Sequence, residues 1–481
     1  MKNSPVSLTK TEKRVKLVPP DGGWGWISTW YWSFNCNLLY GDALEAMGHR
    51  TAGAAIVINT MLCVTYFSGP LVGVLVKLTS PRFVSFTGSI ICTVGIFLSG
   101  FSTNILYLVI TYGILLGAGL GFIQNASFVA INSYFKLKKS IAVGIAMTGT
   151  GIGQTLMPHV VRYLLDSYGF RGACLLLSAM SLHGICGTLL IQPVEWHMKK
   201  IEEEVVVDEK VNLLEESKKN DELNNTAQRA TSPILNDDGK QKLVPDFHSH
   251  KDLKSLRDSK SNGHINGNLK LQKLYDLFDI SLLKNPRFLN VIIGIALTFI
   301  SLQNFSMLYP LFLQVSGMNK QETANCMSAV AFADIIGRLS IPQLQVKFNI
   351  SARMTLIITC IWIFIVRQIL AYQIIYVILV LSSMYGFGRS MVIVARNITI
   401  SEQCQVEQVA SAVGLGMLSM GLLTPPIGYF LGWVRDFTKD YIACISAQNA
   451  ILILFLIMWI PDMLHQYYQN KKEKVDETEM T

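Results

Sequence analysis

Twelve apolar runs, most of them near twenty residues long, constrain this chain more than any other feature. Their approximate limits are 24–44, 52–76, 83–101, 105–131, 141–164, 173–192, 288–315, 321–346, 353–371, 374–398, 408–434 and 441–460. A helix rises about 1.5 Å per residue, so about twenty residues cross the roughly 30 Å of hydrocarbon in a bilayer. Every backbone N–H and C=O must be satisfied within that layer, and a helix does so locally. The expectation is an all-α membrane protein of twelve transmembrane helices. Composition agrees, because 51% apolar and 15% charged residues are too greasy a mixture for a soluble domain of 481 residues.

A polar stretch over 193–287, rich in Lys, Glu, Asp, Asn and Ser, separates the sixth run from the seventh and cannot bury a core. The expected organisation is a tail over 1–23, a six-helix bundle over 24–192, a largely disordered linker over 193–287, a second six-helix bundle over 288–460 and a tail over 461–481. The first tail is polar and basic with no short apolar core before the first run, so a cleavable signal peptide is not expected. The net charge of +8 is a topology signal and does not point to nucleic acid, since the bases sit in the tail and in short loops. Lys10, Lys13, Arg14 and Lys16 precede the first run, Lys77 and Arg82 follow the second, Lys136, Lys138 and Lys139 follow the fourth, and Lys347 and Arg353 follow the eighth. Alternate loops are poorer in base, so both termini and the linker are expected on the cytoplasmic side, with Arg162 and Arg171 as the main exceptions. Ala142–Met147 (AVGIAM) recurs as Ala412–Met417 (AVGLGM) at the same place in each half, as two repeats would produce. The nine cysteines show no metal-ligand spacing and read as small packing residues. The Asn-X-Ser/Thr matches at Asn125, Asn304, Asn397, Asn224 and Asn349 fall in spans or on the cytoplasmic side, so glycosylation is not expected at them.

The eighth run carries Asp334 and Arg338 four residues apart, hence on one helical face. An acid and a base at membrane depth cost several kcal/mol unless they face a protein interior or a water-filled cavity, so such a pair is a hypothesis about function. Arg389, in Gly386-Phe387-Gly388-Arg389, and Arg396 are further candidates for a cavity lining. Snorkelling toward an interface is the alternative for both, and for Arg367 it is the favoured reading. His159 and His183 have no partner at ligand spacing and are expected to be satisfied interior histidines. No paired catalytic carboxylates, nucleophile with base, or metal cluster stands in the spans, so an enzyme, a metal site and a cofactor are not expected.

Asp21, Gly22, Gly23, Trp24, Gly25 and Trp26 open the first run, with the indoles placed as interfacial anchors and the glycines permitting close packing. This hexapeptide resembles the motif at the head of the first helix in the monocarboxylate transporter family, a branch of the major facilitator superfamily. Further segments are similar to that family: Tyr134–Lys139 leading into the glycines at 144, 149, 151 and 153, Tyr168–Gly172, Ala331–Arg338, and Ser411–Leu415 followed by Pro425-Pro426. The resemblance implies two six-helix bundles around a central cavity, which rock to expose it to each side in turn. The glycine row reads first as a packing seam between helices. Lys138 and Lys139 read as headgroup anchors, with gathering or gating of an anion as the second reading.

Arginine offers a rigid fork that suits a carboxylate bidentately and stays protonated. A proton on Asp334 would leave Arg338 short of an anion, and a substrate carboxylate could fill the vacancy, so that both travel without net charge. The plainer alternative is an ion pair that pins two helices. The chain departs from the family where lactate carriers have a first-helix lysine: no Lys or Arg stands between Asp21 and His49. Either the substrate is not lactate, or another base such as Arg396 substitutes, or proton coupling is lost. The expected function is secondary active transport of monocarboxylates or related small organic anions, by proton symport across the plasma membrane. The alternatives are a uniporter of an aromatic amino acid or a zwitterionic metabolite, and a metabolite sensor that does not transport. The implied partners are the anion with its proton, the lipid bilayer and, as in some relatives, a single-span immunoglobulin-like subunit.

Overall fold

The computed structural model describes residues 9–21, 51–136, 138–208, 275, 277–372, 377–405 and 408–479. They belong to two compact units, one from 1–18 with 198–273 and one from 19–197 with 274–481. In the smaller unit, strands β1 (Thr9–Val18) and β2 (Lys199–Asp208) pair antiparallel, from Thr9 opposite Asp208 to Val18 opposite Lys199. Both strands lie where the sequence reading places a tail and a disordered linker. Neither can bury a core alone, and a partner so distant in sequence is invisible to a local reading.

The larger unit is helical. Helices α1 (Thr51–Phe67) and α2 (Gly69–Leu78) make one span, bent by 41° at Ser68, where Pro70 removes a backbone donor. Helix α3 (Pro81–Ser99) starts at Ser80, whose hydroxyl accepts from the Phe83 amide at 3.2 Å. The fourth span runs from α4 (Ile105–Leu108) through a π-helical turn (Val109–Leu116) into α5 (Gly117–Tyr134). Helix α6 (Lys139–Leu189) has 51 residues, too many for one crossing, and breaks at Gly169 (φ 62°, ψ −179°). It therefore contains the fifth and sixth spans, and the Tyr168–Gly172 motif marks a corner that requires glycine.

The second half comprises α7 (Pro286–Val315), α8 (Lys320–Phe348), α9 (Ala352–Ala371), α10 (Ile378–Glu402), α11 (Val409–Thr438) and α12 (Tyr441–Glu479). Among the described residues nine helices are long and apolar enough to cross a membrane, and the α1–α2 pair brings the number to 10. The expected first span, with Gly22, Gly23, Trp24, Gly25 and Trp26, lies outside the described residues. Helix α12 runs on through Pro461, where the reading ends the last span, because a proline removes only one hydrogen bond from a helix otherwise well formed.

The two halves meet through small residues. A Cβ on Gly144 of α6 would stand 2.7 Å from the Arg338 carbonyl of α8, and one on Gly69 of α2 would stand 2.7 Å from the Gly414 carbonyl of α11. Gly73 is as close to the Ala410 carbonyl. The contacts thus pair the fifth span with the eighth and the second with the eleventh, and each exchanges into the other when the halves are swapped. The repeated hexapeptides supply Gly144 and Gly414, one at each contact.

Candidate functional site

Helix α8 is started firmly: Asn319 accepts from the Glu322 amide at 2.8 Å, and Glu322 accepts from the Asn319 amide at 2.9 Å. From that origin the helical period carries Asp334 and Arg338 to the face that meets α6. Arg338 Nη2 lies 2.6 Å from Asp334 Oδ2, and both residues are 2% exposed. Arg338 Nη1 donates to Thr150 Oγ1 at 2.7 Å and to the Met147 carbonyl, both on α6 in the other half. A Cβ on Gly151 would come 3.4 Å from the guanidinium carbon, so the glycine row makes room for the charge. Two atoms remain without a hydrogen-bond partner, Asp334 Oδ1 and Arg338 Nε. The pair therefore faces protein, and it joins the two halves as well as two turns of one helix. Thr150 and Met147 escape the sequence reading because nothing local marks a threonine or a carbonyl as the partner of a distant arginine.

Arg396, on α10, borders a small cavity of about 30 Å³ together with Tyr66, Gln124, Phe128, Asn397, Met417 and Met420 among others. Its Nε and Nη1 are inaccessible to solvent and have no hydrogen-bond partner. The guanidinium carbon sits 4.9 Å from the Phe299 ring centre, and Phe299 meets Tyr66 edge-on at 5.4 Å. Arg338 and Arg389 are both within electrostatic range of Arg396. Arg389 is half-buried. Met147 touches both places: its carbonyl binds Arg338, and its sulfur is 3.9 Å from Asn397 Nδ2.

Arg367 does not snorkel. It is fully buried between α7, α9 and α10, donating to Ser301 Oγ at 2.8 Å and to the Ser301 carbonyl at 3.2 Å. The Phe305 and Tyr385 rings lie 4.3 and 5.3 Å from its guanidinium carbon. Its neighbours satisfy both terminal nitrogens and leave Nε without a partner, so the side chain need not reach for water. His159 and His183 are exposed on α6 and are not interior groups. A flat hydropathy pattern there gives no clue to which face is covered. Lys138 is exposed, and Lys139 at the start of α6 is half-buried within electrostatic range of Glu402. Asp21 Oδ1 accepts from the Lys136 amide at 2.6 Å and the Lys138 amide at 3.4 Å, and its own amide donates to the Tyr134 carbonyl at 3.2 Å. The first residue of the hexapeptide thus fixes the turn between α5 and α6. No cluster of three potential metal ligands exists among the described residues.

The sequence profile of the Major Facilitator Superfamily matches residues 28–464. Monocarboxylate transporter 13 of Rattus norvegicus is 32% identical over a segment that covers 36% of this chain and 44% of that protein. Matches of greater extent are with monocarboxylate transporter 12-B of Danio rerio, 26% identical over 97% of this chain and 93% of that one, and monocarboxylate transporter 2 of Mesocricetus auratus, 24% identical over 91% and 83%. Among solved structures, the E. coli fucose:proton symporter FucP is similar, with a TM-score of 0.59 at 13% identity over 90% of this chain and 97% of that one. So is the human organic anion transporter MFSD10, with a TM-score of 0.58 at 13% identity over 91% and 97%.

Proposed function

Since the chain belongs to the Major Facilitator Superfamily and is a multi-pass membrane protein, we propose that it moves small organic anions bearing one carboxylate, coupled to a proton at Asp334. The observation that carries this reading is the buried Asp334–Arg338 pair, tied at the same time to Met147 and Thr150 of the other half. A guanidinium without a partner there would be disfavoured, and in this reading Arg338 is neutralised by an anion in every state of the cycle. Asp334 supplies it when the carrier is empty. A proton taken up by Asp334 cancels that charge, and the substrate carboxylate replaces it at Arg338. The loaded site is then neutral and cheap to reorient. The occupant of Arg338 also alters its grip on α6, which couples binding to the movement of the halves. Similarity to proteins named monocarboxylate transporters supports the substrate class.

In this reading the termini are cytoplasmic, the membrane is the plasma membrane, and an immunoglobulin-like single-span subunit is a partner to test by co-expression. The end at which α6 and α11 begin is then the cytoplasmic end, closed by the glycine contacts, and the state described is outward-facing. The test is uptake of radiolabelled lactate, pyruvate, aromatic amino acids, creatine and carnitine at two external pH values. Arg338→Lys and Arg338→Ala should abolish uptake with surface expression intact, and near-normal transport would remove the assignment. Asp334→Asn should lose pH-driven accumulation, whereas an unchanged pH profile would remove the proton from the scheme. The rings of Tyr66, Phe128 and Phe299 around Arg396 favour a second reading, uniport of an aromatic or zwitterionic substrate, which the same panel separates by its indifference to pH.

A further inference from the structure

Acidic residues are scarce in the membrane-spanning sequence. No Asp or Glu stands between Glu45 and Asp166, and between Glu322 and Glu402 the one acid is Asp334. Arg338, Arg389 and Arg396 lie within electrostatic range of one another, and the carboxylate paired with any of them among the described residues is Asp334, on Arg338. Three guanidinium groups against one carboxylate leave two positive charges in excess at membrane depth, where a charge costs several kcal/mol unless it is paired or hydrated. Loading does not remove the excess, because in the scheme above the proton that discharges Asp334 enters together with the carboxylate that replaces it.

Arg396 carries the part of this excess that its surroundings meet least. It is half-buried as a whole, yet its Nε and Nη1 are inaccessible to solvent and without a hydrogen-bond partner. The Phe299 ring at 4.9 Å offers its face, and a ring quadrupole does not cancel a unit charge. The cavity beside Arg396 is bordered by Tyr66, Gln124 and Asn397 among others. The Asn397 amide nitrogen is taken up by the Ile393 carbonyl at 3.1 Å and the Met147 sulfur, whereas neither the Tyr66 hydroxyl nor the Gln124 amide makes a hydrogen bond among the described residues. A free hydroxyl and a free amide thus stand beside an uncompensated cation. The cavity, about 30 Å³, has the room of about two water-sized spheres. That admits a monatomic anion and excludes a carboxylate with a carbon chain.

We propose that this cavity is a site for a small inorganic anion of the size of chloride, held by the charge of Arg396 and by hydrogen bonds from Gln124 and Tyr66. The ion is a resident of the protein and not its cargo, so the site stands or falls independently of what the chain carries. Tyr66 on α1 and Gln124 on α5 belong to the first half and Arg396 on α10 to the second. The bound ion therefore also ties the halves together in the state described.

The test is thermal unfolding of the full chain in detergent, in sodium chloride against sodium methanesulfonate at equal ionic strength, the second anion being too large for the cavity. Chloride should raise the melting temperature of the wild type by at least about 2 °C, with a dependence on concentration that saturates. Iodide, which is larger, should do less than chloride. Arg396→Gln should lose the shift. Gln124→Glu, which brings a carboxylate to the cavity, should melt in methanesulfonate no lower than the wild type does in chloride and should no longer respond to chloride. That variant decides the matter if Arg396→Gln does not fold. Equal melting of the wild type in the two salts, a full shift in Arg396→Gln, or an undiminished response in Gln124→Glu each overturns the site. Absence of uptake across the substrate panel would remove the transport reading and leave this one standing.

Discussion

Five arginines of the second half are buried or half-buried, and the surroundings of three of them, Arg338, Arg396 and Arg367, set them apart. Arg338 is balanced by a carboxylate, Arg396 has a buried Nε and Nη1 without a hydrogen-bond partner, and Arg367 is enclosed by a serine and two rings. Thr150 is the neutral partner of Arg338. Thr150→Val should lower uptake about tenfold by removing a hydrogen bond to a charged group, whereas Thr150→Ser should stay near the wild type, as a transport assay with matched surface expression would read. Arg367 has no role in substrate handling in this scheme. Arg367→Ala should lower the melting temperature of the detergent-solubilised protein by leaving a void beside Phe305 and Tyr385. It should leave the KM for the transported substrate unchanged in protein that folds. A shift of that KM with unaltered melting would move Arg367 into the site.

At the scale of elements, the glycines divide into those that turn the chain and those that let helices touch. Gly169 turns it, at a φ of 62° where an L-residue is strained by about 1–2 kcal/mol. Gly144 and Gly414 admit a backbone from the other half, within 2.7 Å for Gly144 and 2.5 Å for Gly414 of where a Cβ would lie. Gly144→Val and Gly414→Val should therefore abolish transport while the protein still reaches the membrane, because each prevents one closed state and leaves the spans intact. Surface biotinylation beside uptake checks this. Gly169→Ala should chiefly lower thermal stability. The sequence reading makes the 144–153 row a packing seam, and the geometry at Gly144 and Gly151 agrees. What hydropathy could not show is the partner, since a glycine in an apolar helix looks alike whether it meets lipid or another helix.

At the scale of the whole molecule, among the described residues an ion pair joins the first half to the segment that leads into α7: Lys77, in the last turn of α2, bonds Asp279. It lies at the end of the molecule where α6 and α11 begin, beside Cys404. Burial pushes the Cys404 thiol up to about 11, so little of it is thiolate near neutral pH and alkylation of the closed form should be slow. Lys77→Glu should open that end and speed alkylation of Cys404 in a chain whose other cysteines are replaced. The exchange Lys77→Glu with Asp279→Lys should return it toward the parent rate. A rate unaffected by any of these changes would remove the pair from the closing of that end.

Much of the architecture was open to inspection in the residues alone. The length of the apolar runs, the charges between them and the repeated hexapeptide all follow from rules that act over one helix: what hydrocarbon tolerates, how far a helix rises and where a lysine can rest. The Asp334–Arg338 pair belongs to that class, because four residues on one helix face is a local relation. The pairing of β1 with β2, the grip of Thr150 and Met147 on Arg338, the burial of Arg367 and the surroundings of Arg396 belong to the other class. Each joins positions far apart in the chain, and a charged side chain keeps the same identity whether it meets water, a ring or a carboxylate. Only the packed halves decide which of these arginines meets a carboxylate and which meets rings and hydroxyls.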